Sequence, residues 1–230
     1  MKTKEVLVFA LAIVLCTALF AGCGGRQKPA PSGSSTADTF KPYSFTDMDG
    51  HLIEITKPIE SVYIVGMTPL VAVYAYYKNG AEGLVGIPAD SANIIKESVF
   101  AEVYPDILNV PLDTSGSSTY NVETIAAANP DVVLYTGGRE ETYEALTNAG
   151  LTAVAFTTAM TQDSNAMKNL EDWLTQLDKV FNVESGERSA KLIEYNNKVL
   201  SELSARSASI SDRKKPKAII IFARGLGGVE

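Results

Sequence analysis

Between Ser61 and Thr158 short apolar runs alternate with stretches of helical character, and no other feature of the chain narrows the choice of fold as sharply. SVYIV precedes PLVAVYAYYKNG, GLVGIP precedes SANIIKESVFAEVY, and NVETIAAANP, DVVLYT, EETYEALTNAG and LTAVAFTT continue the rhythm. Apolar runs of this continuous kind suit strands covered on both faces, so the repeat predicts a parallel sheet between helical layers. The punctuation agrees. Thr68-Pro69 reads as an N-cap with proline at the first helical position, Gly80 and Gly150 stand where helices stop, and Asn121 is placed to cap a helix that Pro130 ends.

Both flanks of the repeat carry patterns of their own. Upstream, Tyr43, Phe45, Leu52, Ile53 and Ile55 surround Asp49-Gly50, a dipeptide that supplies positive φ in a tight hairpin. Downstream, Leu170, Trp173, Leu174, Leu177, Val180 and Phe181 recur at helical spacing, and Leu192, Tyr195, Val199 and Leu203 mark one face of a second helix. Both helices are amphipathic and need a surface to lie on. The charged hinge SDRKKPK then leads into AIIIF, an apolar strand, and the loop ARGLGGVE. A lone strand would expose an apolar edge. The sequence therefore reads as a fragment or a truncated reading frame.

At the front, Lys2 and Lys4 precede a run from Val6 to Phe20 that is apolar except for Thr17 and ends on Ala21-Gly22. This is the pattern of a secretory signal peptide, and it falls short of the ~20 apolar residues of a membrane-spanning helix. Of two cysteines, Cys16 lies inside that run and Cys23 directly after it. Gly24 to Thr39 is rich in Gly, Ser and Pro and reads as a flexible leash. A net charge of −7, with no basic cluster denser than Arg213, Lys214, Lys215 and Lys217, argues against nucleic acid as a partner. One histidine, no GxSxG, no HExxH and no paired acidic site argue against an enzyme.

Phe20-Ala21-Gly22-Cys23 resembles the lipobox of bacterial lipoproteins, with Phe20 where leucine is usual. The resemblance implies that Cys23 is acylated and becomes the N-terminus, anchoring the protein to the extracytoplasmic face of the cell membrane. FTDMDGHLIEITKPIESVYIV is similar to the opening of the substrate-binding proteins of ABC importers for iron-siderophore, haem and corrinoid ligands, with His51 in place of the usual arginine. YNVETIAAANPDVVLYTGG resembles the second signature of that family. The likeness runs from Phe40 to Glu230. It implies a receptor of two lobes joined by a rigid helix, with ligand between them, here an α/β, Rossmann-like parallel-sheet lobe with an N-terminal hairpin, a long interlobe helix and the first strand of a second lobe.

The expected organisation is a signal peptide over 1–22, a lipid-anchored tether over 23–40, a ligand-binding lobe over 41–160, connecting helices over 161–210, and the start of an incomplete C-terminal lobe over 211–230. The expected function is a solute receptor that binds an iron complex, siderophore or haem, or a related metal chelate, and delivers it to the permease of an ABC importer. No cofactor is implied. A corrinoid, metal or oxyanion receptor of the same family and an extracellular sensor lipoprotein are the alternatives.

In an open parallel sheet, ligands settle beyond the carboxyl ends of the strands. The loops placed there are Gly66-Met67-Thr68, Ala89-Asp90-Ser91, Ser115 to Tyr120 and Gly137-Gly138-Arg139. The candidate ligand-binding residues are Met67, Thr68, Asp90, Ser115, Ser117, Ser118, Tyr120, Gly137, Gly138, Arg139 and, after the last strand, Arg224. Gly137 and Gly138 permit close backbone approach, while Arg139 is either a partner for a ligand carboxylate or a solvated turn residue. Tyr74, Tyr76 and Tyr77 are open between phenolate ligands for ferric iron and core residues, with helical spacing favouring burial. Glu123 matches the family position that docks onto permease arginines, and it equally suits a first helical turn, where the macrodipole favours a carboxylate by ~0.3 to 1 kcal/mol.

Overall fold

The apolar runs of the repeat become the strands of one parallel sheet. The computed structural model describes residues 40–66, 68–114, 120–157, 166–183, 185–211 and 214–217. The hairpin is β1 (Tyr43–Thr46) with β2 (Leu52–Ile55), its strands paired antiparallel. Then follow β3 (Val62–Ile64), α1 (Thr68–Lys78), β4 (Leu84–Pro88), α2 (Ala89–Lys96), α3 (Phe100–Val103), a 3-10 turn (Pro105–Asn109) and β5 (Leu112–Asp113). The remainder is α4 (Val122–Ala127), β6 (Val132–Thr136), α5 (Glu140–Asn148), β7 (Ala153–Phe156), α6 (Ala166–Val180) and α7 (Glu187–Ala208).

The sheet order is β5-β4-β3-β6-β7, and each neighbouring pair is parallel. From β3 the chain winds outward through β4 and β5, then crosses back to β6 on the other side of β3. The order therefore reverses between β3 and β6. In a sheet of this kind a crevice opens beyond the carboxyl ends of the two strands flanking the reversal.

Alternate residues of the central strands feed the two faces. Val62, Ile64, Leu134, Val154 and Phe156 pack with Leu70, Val71 and Tyr74 of α1 and Trp173, Leu174 and Leu177 of α6. Tyr63, Val65, Val133, Tyr135, Ala153 and Ala155 pack on the opposite side with Ile125 of α4 and Leu146 of α5. Each large apolar side chain buried in this way contributes about 1.5–3 kcal/mol.

Asp131 fastens the amino-terminal ends of β3 and β6. Its Oδ2 accepts from the backbone N–H of Glu60 and of Ser61, both at 2.8 Å, and from the Ser61 hydroxyl at 2.9 Å, while Lys57 lies 2.6 Å from Oδ1. Burial works against the charge, but Lys57 and the donors of Glu60 and Ser61 outweigh it and hold the carboxyl down at about 2. A depressed carboxyl contributes stability that is complete above its unfolded value, near 3.8, and is lost as pH falls through its folded one. Acid unfolding curves are expected to lose stability between about pH 4 and 2, and Asp131→Asn removes the part due to this group; an unchanged slope in that window would contradict the assignment.

The three tyrosines of α1 are structural. Tyr74 donates to the Glu82 carbonyl at 2.7 Å, Tyr76 to Asn196 Oδ1 at 3.2 Å and Tyr77 to Asp178 Oδ1 at 2.6 Å. Burial pushes the Tyr74 and Tyr77 hydroxyls up, and both side chains take the buried positions that helical spacing favours. Asp178 also accepts from the Ser189 N–H at 3.1 Å, placing a carboxylate at the positive end of α7. Arg188 Nε donates to the Tyr77 carbonyl at 2.7 Å, so α1, α6 and α7 meet at one joint.

Beyond that joint the apolar face of α7 is left open among the described residues. Tyr195 and Leu203 are 61% and 55% exposed, and Val199 is also exposed. Among the described residues no helix is long and apolar enough to cross a membrane. Cys23 and the AIIIF strand lie outside the described residues.

Candidate functional site

The hairpin turn holds two aspartates with different assignments. Asp47 Oδ1 accepts from the backbone N–H of Asp49 at 3.0 Å and of His51 at 2.9 Å, as a turn aspartate does. Its Oδ2 accepts from the Ala155 N–H at 2.9 Å. Ala155 lies on β7, the edge strand, so this carboxylate satisfies a backbone donor that no neighbouring strand reaches.

Asp49 reaches the two loops that leave the sheet. Its Oδ2 accepts from the Gly138 N–H at 2.6 Å and its Oδ1 from the Thr157 hydroxyl at 2.8 Å. A Cβ on Gly137 would stand 2.6 Å from Asp49 Oδ1, and Gly138 has φ of +75°, in the left-handed region that glycine enters at little cost. The hairpin carboxylate therefore approaches this glycine pair closely.

A second convergence lies at the reversal point. Gly66, just after β3, has φ of +70°, and a Cβ there would stand 2.8 Å from Tyr120 Cε1 and 3.0 Å from Thr136 Oγ1, with the Tyr120 hydroxyl nearer still. The Tyr120 and Thr136 hydroxyls thus share the space above Gly66. Both are buried and have no hydrogen-bond partner among the described residues, as does the hydroxyl of Tyr135. A buried hydroxyl without a partner costs about 1–3 kcal/mol. Two such groups side by side at the place where the fold opens a crevice are a natural site for a polar ligand atom.

Beside them is a cavity of about 490 Å³ lined by Tyr120, Gly138, Arg139, Glu140, Glu141 and Thr142. Glu140 and Glu141 occupy the first turn of α5. Arg139 is exposed immediately before it. On the other face of the sheet, the Trp173 indole N–H donates to the carbonyl of Thr157, just past the carboxyl end of β7, at 2.9 Å. As the only tryptophan in the chain, it reports on this end of the sheet.

The structure brings Tyr120, Gly138 and Arg139 together around the cavity and places Gly137, just after β6, against Asp49 of the hairpin turn. Asp90 is exposed in the first turn of α2 and does not line this cavity. The backbone of Thr68 begins α1. Glu123 is exposed in the first turn of α4, whose cap is Asn121, accepting from the Thr124 N–H at 3.2 Å. Met67, Ser115, Ser117, Ser118 and Arg224 lie outside the described residues. Sequence reasoning placed Gly66 in a ligand loop without counting it among the candidates, and missed Thr136 as part of the site and Asp47 and Asp49 as its supports. The Asp49-Gly50 dipeptide marked the turn but not what its carboxylate reaches.

No protein-family model matches the chain, and no curated protein sequence matches it significantly. Solved structures do. A periplasmic solute-binding protein from Veillonella parvula superposes with a TM-score of 0.60 at 21% identity, over 75% of this chain and 50% of that one. The fold is that of a periplasmic solute-binding lobe. Similar folds occur in a point mutant of the heme-binding protein HmuT, with a TM-score of 0.58 at 20% identity over 90% of this chain and 61% of that one, and in the siderophore-binding protein BauB. BauB, bound to ferric iron and two molecules of acinetobactin, gives a TM-score of 0.51 at 18% identity, over 74% of this chain and 56% of that one. The chain thus spans about half to three-fifths of the length of these proteins, and the parallel sheet and its flanking helices agree with the α/β lobe expected from the sequence.

Proposed function

We propose that this chain is the ligand-binding lobe of an extracytoplasmic solute receptor, lipid-anchored through Cys23, that captures an iron complex of the siderophore or haem kind and passes it to an ABC permease. The observation that carries the proposal is the pair of buried hydroxyls of Tyr120 and Thr136, without hydrogen-bond partners among the described residues, at the reversal of the sheet and next to Arg139. HmuT and BauB, which share the fold, are a heme-binding and a siderophore-binding protein. Arg139 suits the carboxylate groups of such ligands, Tyr120 supplies an aromatic wall, and the two hydroxyls hydrogen-bond ligand oxygens. The chemistry is recognition without bond making. Capture is completed by closure of a cleft, and Glu123, exposed on α4, is offered to permease arginines.

Calorimetric titration with ferric siderophores, haem, cobalamin and molybdate tests this reading. Saturable heat with one of the iron complexes supports it, whereas silence throughout, or robust turnover of ester, phosphate or glycoside substrates, overturns it. The anchor has its own test. Cys23→Ser is expected to move the protein from the membrane fraction to the soluble one, and retention would show that something else holds it.

A further inference from the structure

A neutral imidazole has one N–H and one lone pair, so it donates to one carboxylate and turns a lone pair toward a second; only the imidazolium donates from both nitrogens. His51 faces two carboxylates. Its Nδ1 lies 3.3 Å from Asp47 Oδ2 and its Nε2 3.2 Å from Glu140 Oε2. The ring is stacked on Tyr143 of α5, with centroids 3.7 Å apart and planes within 3°. The two arms differ in fixity. Asp47 has a fully buried side chain held by the N–H groups of Asp49, His51 and Ala155, while the Glu140 side chain is 66% exposed and has no other hydrogen bond among the described residues.

We propose that His51 is a positioning residue for the cavity: as an imidazolium it ties Glu140, the first residue of α5 and part of the cavity rim, to the hairpin turn, and losing its proton releases the Glu140 arm. The groups around it favour this. The hairpin presents Asp47, with Asp49 in the same turn, α5 presents Glu140 and Tyr143, and β6 brings Tyr135, whose hydroxyl is pushed up by burial and then by Asp47, Asp49 and Glu140. Burial works against the imidazolium, but the hydrogen bonds and charges of Glu140 and Asp47 outweigh it and hold its pKa above the usual 6.5. A raised histidine contributes a link that is complete below 6.5 and is lost as pH rises through the folded value. The rim is therefore fastened in mildly acidic surroundings and loosened in alkaline ones.

The chain has a single histidine, so its imidazole resonance is unambiguous in NMR spectra of the full chain. The imidazole is expected to titrate above 6.5, and the amide shifts of Gly138, Glu140 and Glu141 are expected to follow the same midpoint. Glu140→Gln lowers that midpoint and uncouples the rim. His51→Arg, which keeps its charge at every pH used, flattens the response of the rim. A midpoint at or below 6.5, rim amides indifferent to the imidazole, or a midpoint unmoved by Glu140→Gln would each overturn the proposal. That the rim serves a ligand rests on the proposed receptor function, but this titration is read without ligand and fails or succeeds separately from it.

Discussion

Asp47→Ala is expected to lower the free energy of unfolding by about 3–4 kcal/mol, more than any other change in the hairpin. The Asp47 side chain is fully buried, and its carboxylate answers three backbone donors, one of them the N–H of Ala155 on the edge of the sheet. A hydrogen bond to a charged group contributes about 1.5–3 kcal/mol, and a buried donor left without a partner costs about 1–3 kcal/mol. The losses do not simply add, because Asp49 is exposed and water reaches its N–H once the carboxylate is gone. The Ala155 N–H has no such relief. Denaturant unfolding of the variant beside the parent measures the difference, and a loss under about 1 kcal/mol would show that the hairpin is only draped over the sheet.

Gly66→Ala is expected to cost the cavity its aromatic wall. Left-handed backbone costs a non-glycine residue roughly 1–2 kcal/mol, and the added methyl falls on Tyr120 and Thr136 at overlapping distances, adding about 1–3 kcal/mol of overpacking. Tyr120 is the part able to yield, since it borders the open cavity. Displacing it separates its hydroxyl from that of Thr136 and should weaken binding of the captured solute by about tenfold or more, equivalent to ~1.4 kcal/mol. Tyr120→Phe separates the two contributions by removing only the hydroxyl. Titrations of both variants in parallel decide the matter: full affinity in Gly66→Ala would mean that ligand does not touch this wall.

Features written in neighbouring residues were legible in the sequence. The β–α rhythm, the Asn121 cap and the turn at Gly50 each depend on residues a few positions apart. The contacts that assemble the site do not. Asp49 reaches Gly138 across 89 positions, and Asp47 reaches Ala155 across 108. Nothing near Asp47 or Asp49 announces those partners, so Gly137 and Gly138 read as a ligand loop with no sign that Asp49 also packs against them. β5, two residues long, is too short for any period to reveal. Thr136 is simply the last residue of the DVVLYT run, and only the position of Tyr120 above Gly66 gives its hydroxyl significance. Helical spacing did favour burial of the α1 tyrosines, but it could not show that Tyr77 closes onto Asp178 in α6.

The central claim is that the loops beyond the carboxyl ends of β3 and β6 hold the solute. An amide chemical-shift map of the full chain, titrated with ferric siderophores and with haem, tests it most directly. Perturbations are expected to gather on Gly66, Tyr120, Thr136 and the stretch from Gly138 to Thr142, with Trp173 emission changing at the same ligand concentration. Saturable perturbations confined to the opposite end of the sheet, around Asp131 and Lys57, would contradict it.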